Sequence, residues 1–264
     1  MNRSFTTSLT LTSSMLASGQ ALAEGFLLWQ DNSLTYLYGK EFKVDPPKQQ
    51  IITFSHASGW TFGDLYMFVD SIKYNTDATN GAGDGHSFYG EFSPRLSLGK
   101  ISGADLSFGP IKDVLIAATY EFGEDDRESY LLGPALDLKV PGFDYFQLNT
   151  YYRRTDGNRD GSGVWQITPA WSYTTPIGNS DLVIDGYIDW VPDNDKSYHA
   201  NFHFNPQIKY DVAKAFGFGK KVYAGIEYSY WKNKYAIDND GYVGSEVLGG
   251  TDQSVLMLMV RAHF

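Results

Sequence analysis

Acidic and aromatic side chains at alternate positions are the residues in this chain whose types and spacing could do chemistry. Tyr66, Phe68 and Asp70 make one such set, and Tyr89, Glu91 and Arg95 a second. Tyr151 with Arg153, then Asp185, Tyr187 and Asp189, then Glu227, continue the series, and Tyr145, Tyr223 and Trp231 share its side of the chain. An aromatic face stacks a flat ring at about 1–3 kcal/mol. Carboxylates accept hydrogen bonds from hydroxyls, and Arg donates in fixed directions. A flat, hydroxylated, uncharged solute fits such a lining. Any one of these aromatics serves equally well as a brace that fills space.

Catalysis and metal binding find less support. With no cysteine among 264 residues there is no disulfide scaffold, thiolate zinc site or thiol nucleophile. His199 and His203 stand four apart. On a helix that spacing sets two metal ligands on one face, whereas on a strand it separates them by roughly 13 Å. Asp156, Asn158, Asp160 and Gly161 match the opening of a calcium loop, but position twelve is Ile167 in place of Glu. Asp238-Asn239-Asp240-Gly241 reads as a turn. No G-x-S-x-G elbow occurs. A Ser–His pair on facing strands, as in a barrel lipid hydrolase, is the one enzymatic arrangement left open. The expectation is a non-enzymatic protein with no catalytic residue, no cofactor and no metal. Twenty-one basic residues against 31 acidic give a net charge of −10, which argues against a nucleic-acid partner.

A series of period two needs strands to hold it. Amphipathic-helix spacing is scarce, and no run approaches the 18 or more apolar residues of a spanning helix. Strands are expected at about 32–40, 49–57, 63–73, 87–98, 111–122, 128–138, 145–155, 163–174, 181–191, 199–210, 221–231 and 253–264. The first three alternate poorly. In the last nine, one face takes Glu91, Arg95, Asp113, Glu121, Asp137, Arg153, Asp181, Asp185, Asp189, Lys209, Glu227 and Arg261. The other takes residues such as Phe88, Phe92, Leu96, Ile167, Trp171, Leu182 and Ile188.

Strands of 9–12 residues exceed the 5–6 usual in soluble sandwiches and suit a bilayer crossed at a tilt of about 45°. Tyr120, Tyr130, Trp165, Tyr173, Trp190, Tyr210 and Tyr230 lie near strand ends on the apolar side, as an interfacial girdle requires. The apolar face is therefore expected to meet lipid, and the charged face a lumen. The fold class is all-β: a single-domain transmembrane antiparallel β-barrel of about 12 strands spanning 24–264. Twelve strands leave a narrow passage. Ten of the fourteen inward charges, counting Asp64 and Asp70, are acidic, so anions should be repelled.

Residues 1–23 read as a cleaved signal peptide, with Arg3 in the n-region and Ala21-Leu22-Ala23 as the cleavage site. Leu256, Leu258, Val260, Ala262 and Phe264 alternate at the end of the chain, similar to the closing strand of bacterial outer-membrane barrels. Short links (58–62, 139–144, 175–180) read as periplasmic turns, and longer ones (74–86, 155–163, 232–252) as external loops, with both termini periplasmic. Links 99–110 and 211–220 are long for turns. Pro94, Pro134, Pro169 and Pro206 fall inside every second strand on the apolar face. Proline removes a ladder bond, so either bulges or shorter strands are expected there.

Glu91-Phe92-Ser93-Pro94-Arg95-Leu96-Ser97-Leu98, followed by Ala104-Asp105-Leu106-Ser107-Phe108-Gly109-Pro110-Ile111-Lys112-Asp113, resembles a two-part segment of the Tsx family, E-x-x-P-R-(L/F)-S and T-D-L-S-F-G-P-(F/I)-K-(E/D). Members of that family are nucleoside-specific outer-membrane channels. Leu65-Tyr66-Met67-Phe68-Val69-Asp70 is similar to the family's preceding D-(F/L)-Y-x-(Y/F)-x-D strand, and the match covers roughly residues 60–125. The resemblance implies a monomeric twelve-stranded barrel that passes nucleosides by facilitated diffusion and that bacteriophages use as a receptor. By position it carries over Tyr66, Phe68, Asp70, Glu91 and Arg95. Tyr89, Tyr151, Arg153, Asp185, Tyr187, Asp189 and Glu227 rest on strand phase alone. Outer-membrane lipid and lipopolysaccharide would surround the barrel. A general porin for other small solutes and a purely receptor or adhesive barrel are the alternatives that the residues leave standing.

Overall fold

The computed structural model describes residues 25–75, 85–124, 128–155, 163–194, 198–219 and 221–264. The expected signal peptide and the calcium-like opening at Asp156 lie outside the described residues. Twelve strands run in sequence: β1 (Leu27–Lys40), β2 (Lys48–Trp60), β3 (Gly63–Tyr74), β4 (His86–Ser97), β5 (Ile111–Gly123), β6 (Glu128–Leu138), β7 (Tyr145–Thr155), β8 (Val164–Ile177), β9 (Ser180–Val191), β10 (Asn201–Asp211), β11 (Val222–Lys232) and β12 (Gln253–His263). Each pairs antiparallel with its successor, and β1 closes on β12 through Leu34–Ala262 and Tyr36–Val260. Closure satisfies the strand edges, as a lipid environment demands. No described helix is long and apolar enough to cross a membrane, so any crossing falls to the strands.

Alternation decides what faces where. On β12, Val255, Met257 and Met259 are at most 3% exposed, whereas Leu256, Leu258 and Val260 are 51–65% exposed. The second set covers the outer wall. Phe264 lies one residue past β12, and its N–H donates to Asn32 O at 2.9 Å. The outer face is not free of charge. Glu128 and Arg154 stand on the outer face, at the ends of β6 and β7. There Glu128 accepts from the hydroxyls of Tyr120 (2.9 Å) and Tyr130 (3.0 Å), which places it among the outer aromatics.

The barrel has a rim that carries both described chain ends and a far rim. Two turns at the first rim are tight: strands β2 and β8 extend beyond their expected ends, leaving only 61–62 and 178–179 as links. The two links that are long for turns each hold a short helix. These are α1 (Leu98–Ser102) and α2 (Val212–Ala215). The last residue of the preceding strand caps each one: Ser97 Oγ accepts from Lys100 N–H at 3.0 Å, and Asp211 Oδ1 from Lys214 N–H at 2.9 Å. After α1, Asp105 Oδ1 accepts from Ser107 N–H at 3.0 Å, and the Ser107 hydroxyl and amide hold the Asp105 carboxyl below its usual range.

The four prolines produce neither bulges nor shortened strands. Phe92–Tyr120 and Arg95–Ala117 keep one register on both sides of Pro94, with the two intervening pairs missing. The same two-residue gap opens between β6 and β7 at Pro134, between β8 and β9 at Pro169, and between β10 and β11 at Pro206. On its other side each proline stays paired, as Leu65–Pro94, Ile116–Pro134, Leu148–Pro169 and Gly186–Pro206 show. The physical reason is that a proline lacks one N–H, which points to one neighbour only. The register shifts that do occur sit at strand starts, at Leu27/Trp29 and Ile111/Asp113.

Two apolar clusters lie on the lumen side of the wall. Leu37, Ile51, Val255, Met257 and Met259 pack with Phe42, which folds in from the link after β1. Leu115, Ala117, Leu131, Ala135 and Tyr151 form the other. Burying such side chains contributes about 1.5–3 kcal/mol for each large one. It also narrows the interior.

Candidate functional site in the lumen

The inward positions of β3 and β4 present Tyr66, Phe68 and Asp70 beside Tyr89 and Glu91. The registers Phe68–Glu91 and Asp70–Tyr89 hold them at one level of the ladder. The rings follow one another, Tyr66 to Phe68 at 6.1 Å and Phe68 to Tyr89 at 5.8 Å between centroids. On β9 to β11, Tyr187 meets His203 edge-on at 5.4 Å, and His203 stacks on Trp231 at 4.3 Å with 12° between planes. Tyr187 lies within electrostatic reach of Asp70, Glu91, Asp189 and Glu227, which brings the two walls together across the interior.

Those four carboxylates share a property. None forms an ion pair with a described cation. Each is held instead by neutral donors. Asp70 accepts from Thr53 Oγ1 at 2.5 Å, and Glu91 from the Tyr89 hydroxyl at 2.8 Å. Asp189 accepts from Thr168 Oγ1 (2.6 Å) and Gln166 Nε2 (2.9 Å), and Glu227 from Asn205 Nδ2 (3.2 Å) and Gln207 Nε2 (2.6 Å). Neutral donors orient a carboxylate without supplying an opposite charge, and its remaining lone pairs face whatever occupies the lumen.

Three inward strand cations are paired with carboxylates, while the fourth, Arg261, donates from Nε to Thr35 Oγ1 at 2.7 Å and forms no ion pair with a described residue. Arg95 is 4% exposed; its Nε and Nη2 donate to the two oxygens of Asp64 at 2.8 Å. Its Nη1 reaches Asp137 at 2.9 Å and Asn149 at 3.4 Å. Arg153 grips Glu121 with both terminal nitrogens and adds Gln166 and Ser129, each at 3.1 Å. Lys209 bonds Asp185, and Gln207 at 3.2 Å.

The structure therefore divides the expected lining. Tyr66, Phe68, Asp70, Tyr89, Glu91, Tyr187, Asp189 and Glu227 come together. Arg95, Arg153 and Asp185 stand within ion pairs. Tyr151, 5% exposed, packs in an apolar cluster, with its hydroxyl 3.5 Å from Thr119 Oγ1. Sequence reasoning missed Thr53, Gln166, Thr168, Asn205 and Gln207, the groups that orient the carboxylates. They occupy inward positions on neighbouring strands, a signal readable only once register is known. His203 faces Trp231, while His199 lies outside β10 and 3.7 Å from Asp193, so the two histidines do not combine. No cluster of three or more metal-ligating groups occurs among the described residues.

A closed twelve-stranded barrel, apolar outside and lined with carboxylates and rings inside, defines a class: the transmembrane β-barrels. Residues 26–257 match the family described as "Nucleoside-specific channel-forming protein, Tsx", and the chain belongs to that family. It is similar to outer membrane protein OmpK of Vibrio parahaemolyticus, with 28% identity over 170 residues, 62% of this chain and 64% of that protein. It is also similar to the nucleoside-specific channel-forming protein Tsx of Salmonella typhimurium, with 37% identity over 90 residues, 30% and 31% of the two chains. The matched part thus spans less than two thirds of these relatives. Among solved structures, a KdgM porin in complex with disordered oligogalacturonate aligns with a TM-score of 0.49 and 10% identity, over 88% of this chain and 99% of that one. The family and its relatives place the chain in the bacterial outer membrane.

Proposed function

We propose that the barrel is a channel for passive, selective diffusion of nucleosides. The observation that carries this reading is the convergence of Asp70, Glu91, Asp189 and Glu227, none paired with a described cation, on a lumen edged by Tyr66, Phe68, Tyr89 and Tyr187. Carboxylates already oriented by protein donors keep lone pairs for sugar hydroxyls, and rings give the base a face on which to stack. A lining with more acidic than basic side chains disfavours phosphates, so nucleotides are excluded where nucleosides pass. In this reading the protein is exported by residues 1–23, works as a monomer with both termini periplasmic, and exposes at its far rim the loops a bacteriophage would reach.

The test is single-channel current through purified protein in a planar bilayer, titrated with adenosine, thymidine and a sugar of similar size. Small steps blocked saturably by the nucleosides and not by the sugar are expected. Steps indifferent to every solute would make the barrel a general porin, and no steps from folded protein would end the channel reading.

A further inference from the structure

Deep in the far mouth lies a lysine that neither the outer wall nor the carboxylate cluster explains. The link 41–47 after β1 and the link 233–252 after β11 both fold inward there. Lys234, in the 3₁₀ turn Lys234–Ala236, is only 3% exposed. Its Nζ bonds Asp45 Oδ2 at 2.7 Å and Gln253 Oε1 at 2.7 Å. It also sits over the rings of Tyr235 (5.0 Å), Trp231 (5.4 Å) and Phe42 (5.8 Å). The Tyr235 hydroxyl donates to the same Asp45 oxygen at 2.7 Å, and Lys43 N–H donates to Gln253 Oε1 at 3.2 Å. One ammonium thus fastens one link to the other.

The barrel wall does not require this arrangement. Strands β11 and β12 are already paired at Trp231–Gln253, before the second link begins. The backbone bends sharply to deliver the lysine: Asn233, Tyr235 and Ala236 all have positive φ, at 50°, 58° and 57°. Non-glycine residues hold that conformation only where the surroundings over-determine it. A buried ammonium likewise persists only when paired and hydrogen-bonded.

The lysine is also wired to the lumen. Gln253, which accepts from it, donates through Nε2 to Ser229 Oγ at 2.9 Å. Ser229 Oγ lies 3.1 Å from His203 Nε2, and His203 Nδ1 lies 3.5 Å from the Tyr187 hydroxyl. Trp231, under the ammonium, is the ring on which His203 stacks.

We propose that Lys234 is the positioning residue of the far mouth: it straps the two links across the entrance and, through Gln253, Ser229 and Trp231, sets His203 and Tyr187 in the solute path. The strap limits what enters, and the wiring fixes the rings that an entering solute meets. The second part rests on the nucleoside-channel reading; the first needs only a pore.

The experiment is single-channel conductance in KCl for wild type, Lys234→Met, Lys234→Arg and Asp45→Asn, each shown folded by its heat-modifiable gel mobility. A freed strap widens the aperture, so Lys234→Met and Asp45→Asn should conduct roughly twofold more than wild type. Lys234→Arg, which keeps the cation, should stay near the wild-type value. In Lys234→Met the adenosine concentration for half block should rise several-fold while the maximal block is kept. Because the chain has no cysteine, Asp45→Cys with Lys234→Cys gives a second arm: a short bismaleimide bridge should return the raised conductance to the wild-type value. Folded Met and Asn variants that conduct like wild type, or a bridge that changes nothing, would overturn the strap. A wild-type channel indifferent to adenosine would instead sink the nucleoside reading and leave the KCl comparison standing.

Discussion

Asp70, Glu91, Asp189 and Glu227 differ from Asp64, Glu121, Asp137 and Asp185 in having no described cation as partner, and that difference separates selectivity from stability. Each lies in a narrow, low-dielectric passage, where fields are focused, with no described cation bonded to it. Replacing Asp70 by Asn or Glu91 by Gln removes one charge and keeps the shape. In a KCl gradient the reversal potential should move toward anions for each variant and further for the pair; unchanged potentials would show that these acids do not face the ion path. Glu121 tells the opposite story. Its charge is cancelled by Arg153, and their side chains are 11% and 15% exposed. Arg153→Met would strand Glu121 without its cation, a loss of about 3–5 kcal/mol where such a pair is buried. Urea unfolding of the refolded barrel should show that loss as a lowered midpoint; an unchanged midpoint would show that the pair contributes no stability.

The strands themselves were largely legible, because alternation is a local property and each strand carries its own copy. Nine strands followed the expected phase from Glu91 to Arg261, and β3 turned Tyr66, Phe68 and Asp70 inward despite weak alternation. What the sequence could not show is what lies between strands. Arg95 reaches from β4 past wholly buried Ala117 on β5 to Asp137 on β6, a partnership that exists only once three strands are in register. The prolines were misread for the same reason: local pattern says that an N–H is missing, but not which neighbour does without it. At one such gap the strands approach closely, for a Cβ on Gly133 would lie 2.0 Å from Thr150 O. Backbone cannot swing aside as a side chain can. Gly133→Ala should therefore destabilise the barrel by about 1–3 kcal/mol, the usual cost of overpacking. The urea midpoint measures it, and an unchanged midpoint would mean that β7 can retreat from β6 at no cost.

For the molecule as a whole, the unequal rims give a testable expectation of which way the lumen is entered. One rim has two-residue turns at 61–62 and 178–179, the short helices α1 and α2, and both described chain ends. Around it stand exposed Phe108, Phe216 and Phe218, rings suited to a membrane interface. The far rim has the longest link, 233–252, with its exposed Glu246. Outer-membrane barrels put short turns in the periplasm and long loops outside, so Lys234 should meet solutes before the carboxylates do. The absence of native thiols makes this directly measurable. Glu246→Cys should react on intact cells with a polyethylene-glycol maleimide too bulky for the lumen. Asn179→Cys, in an exposed turn of the other rim, should react only after the outer membrane is permeabilised. The reverse pattern would invert the barrel. Lys234 would then guard the periplasmic exit, and the strap would govern release of a solute in place of its admission.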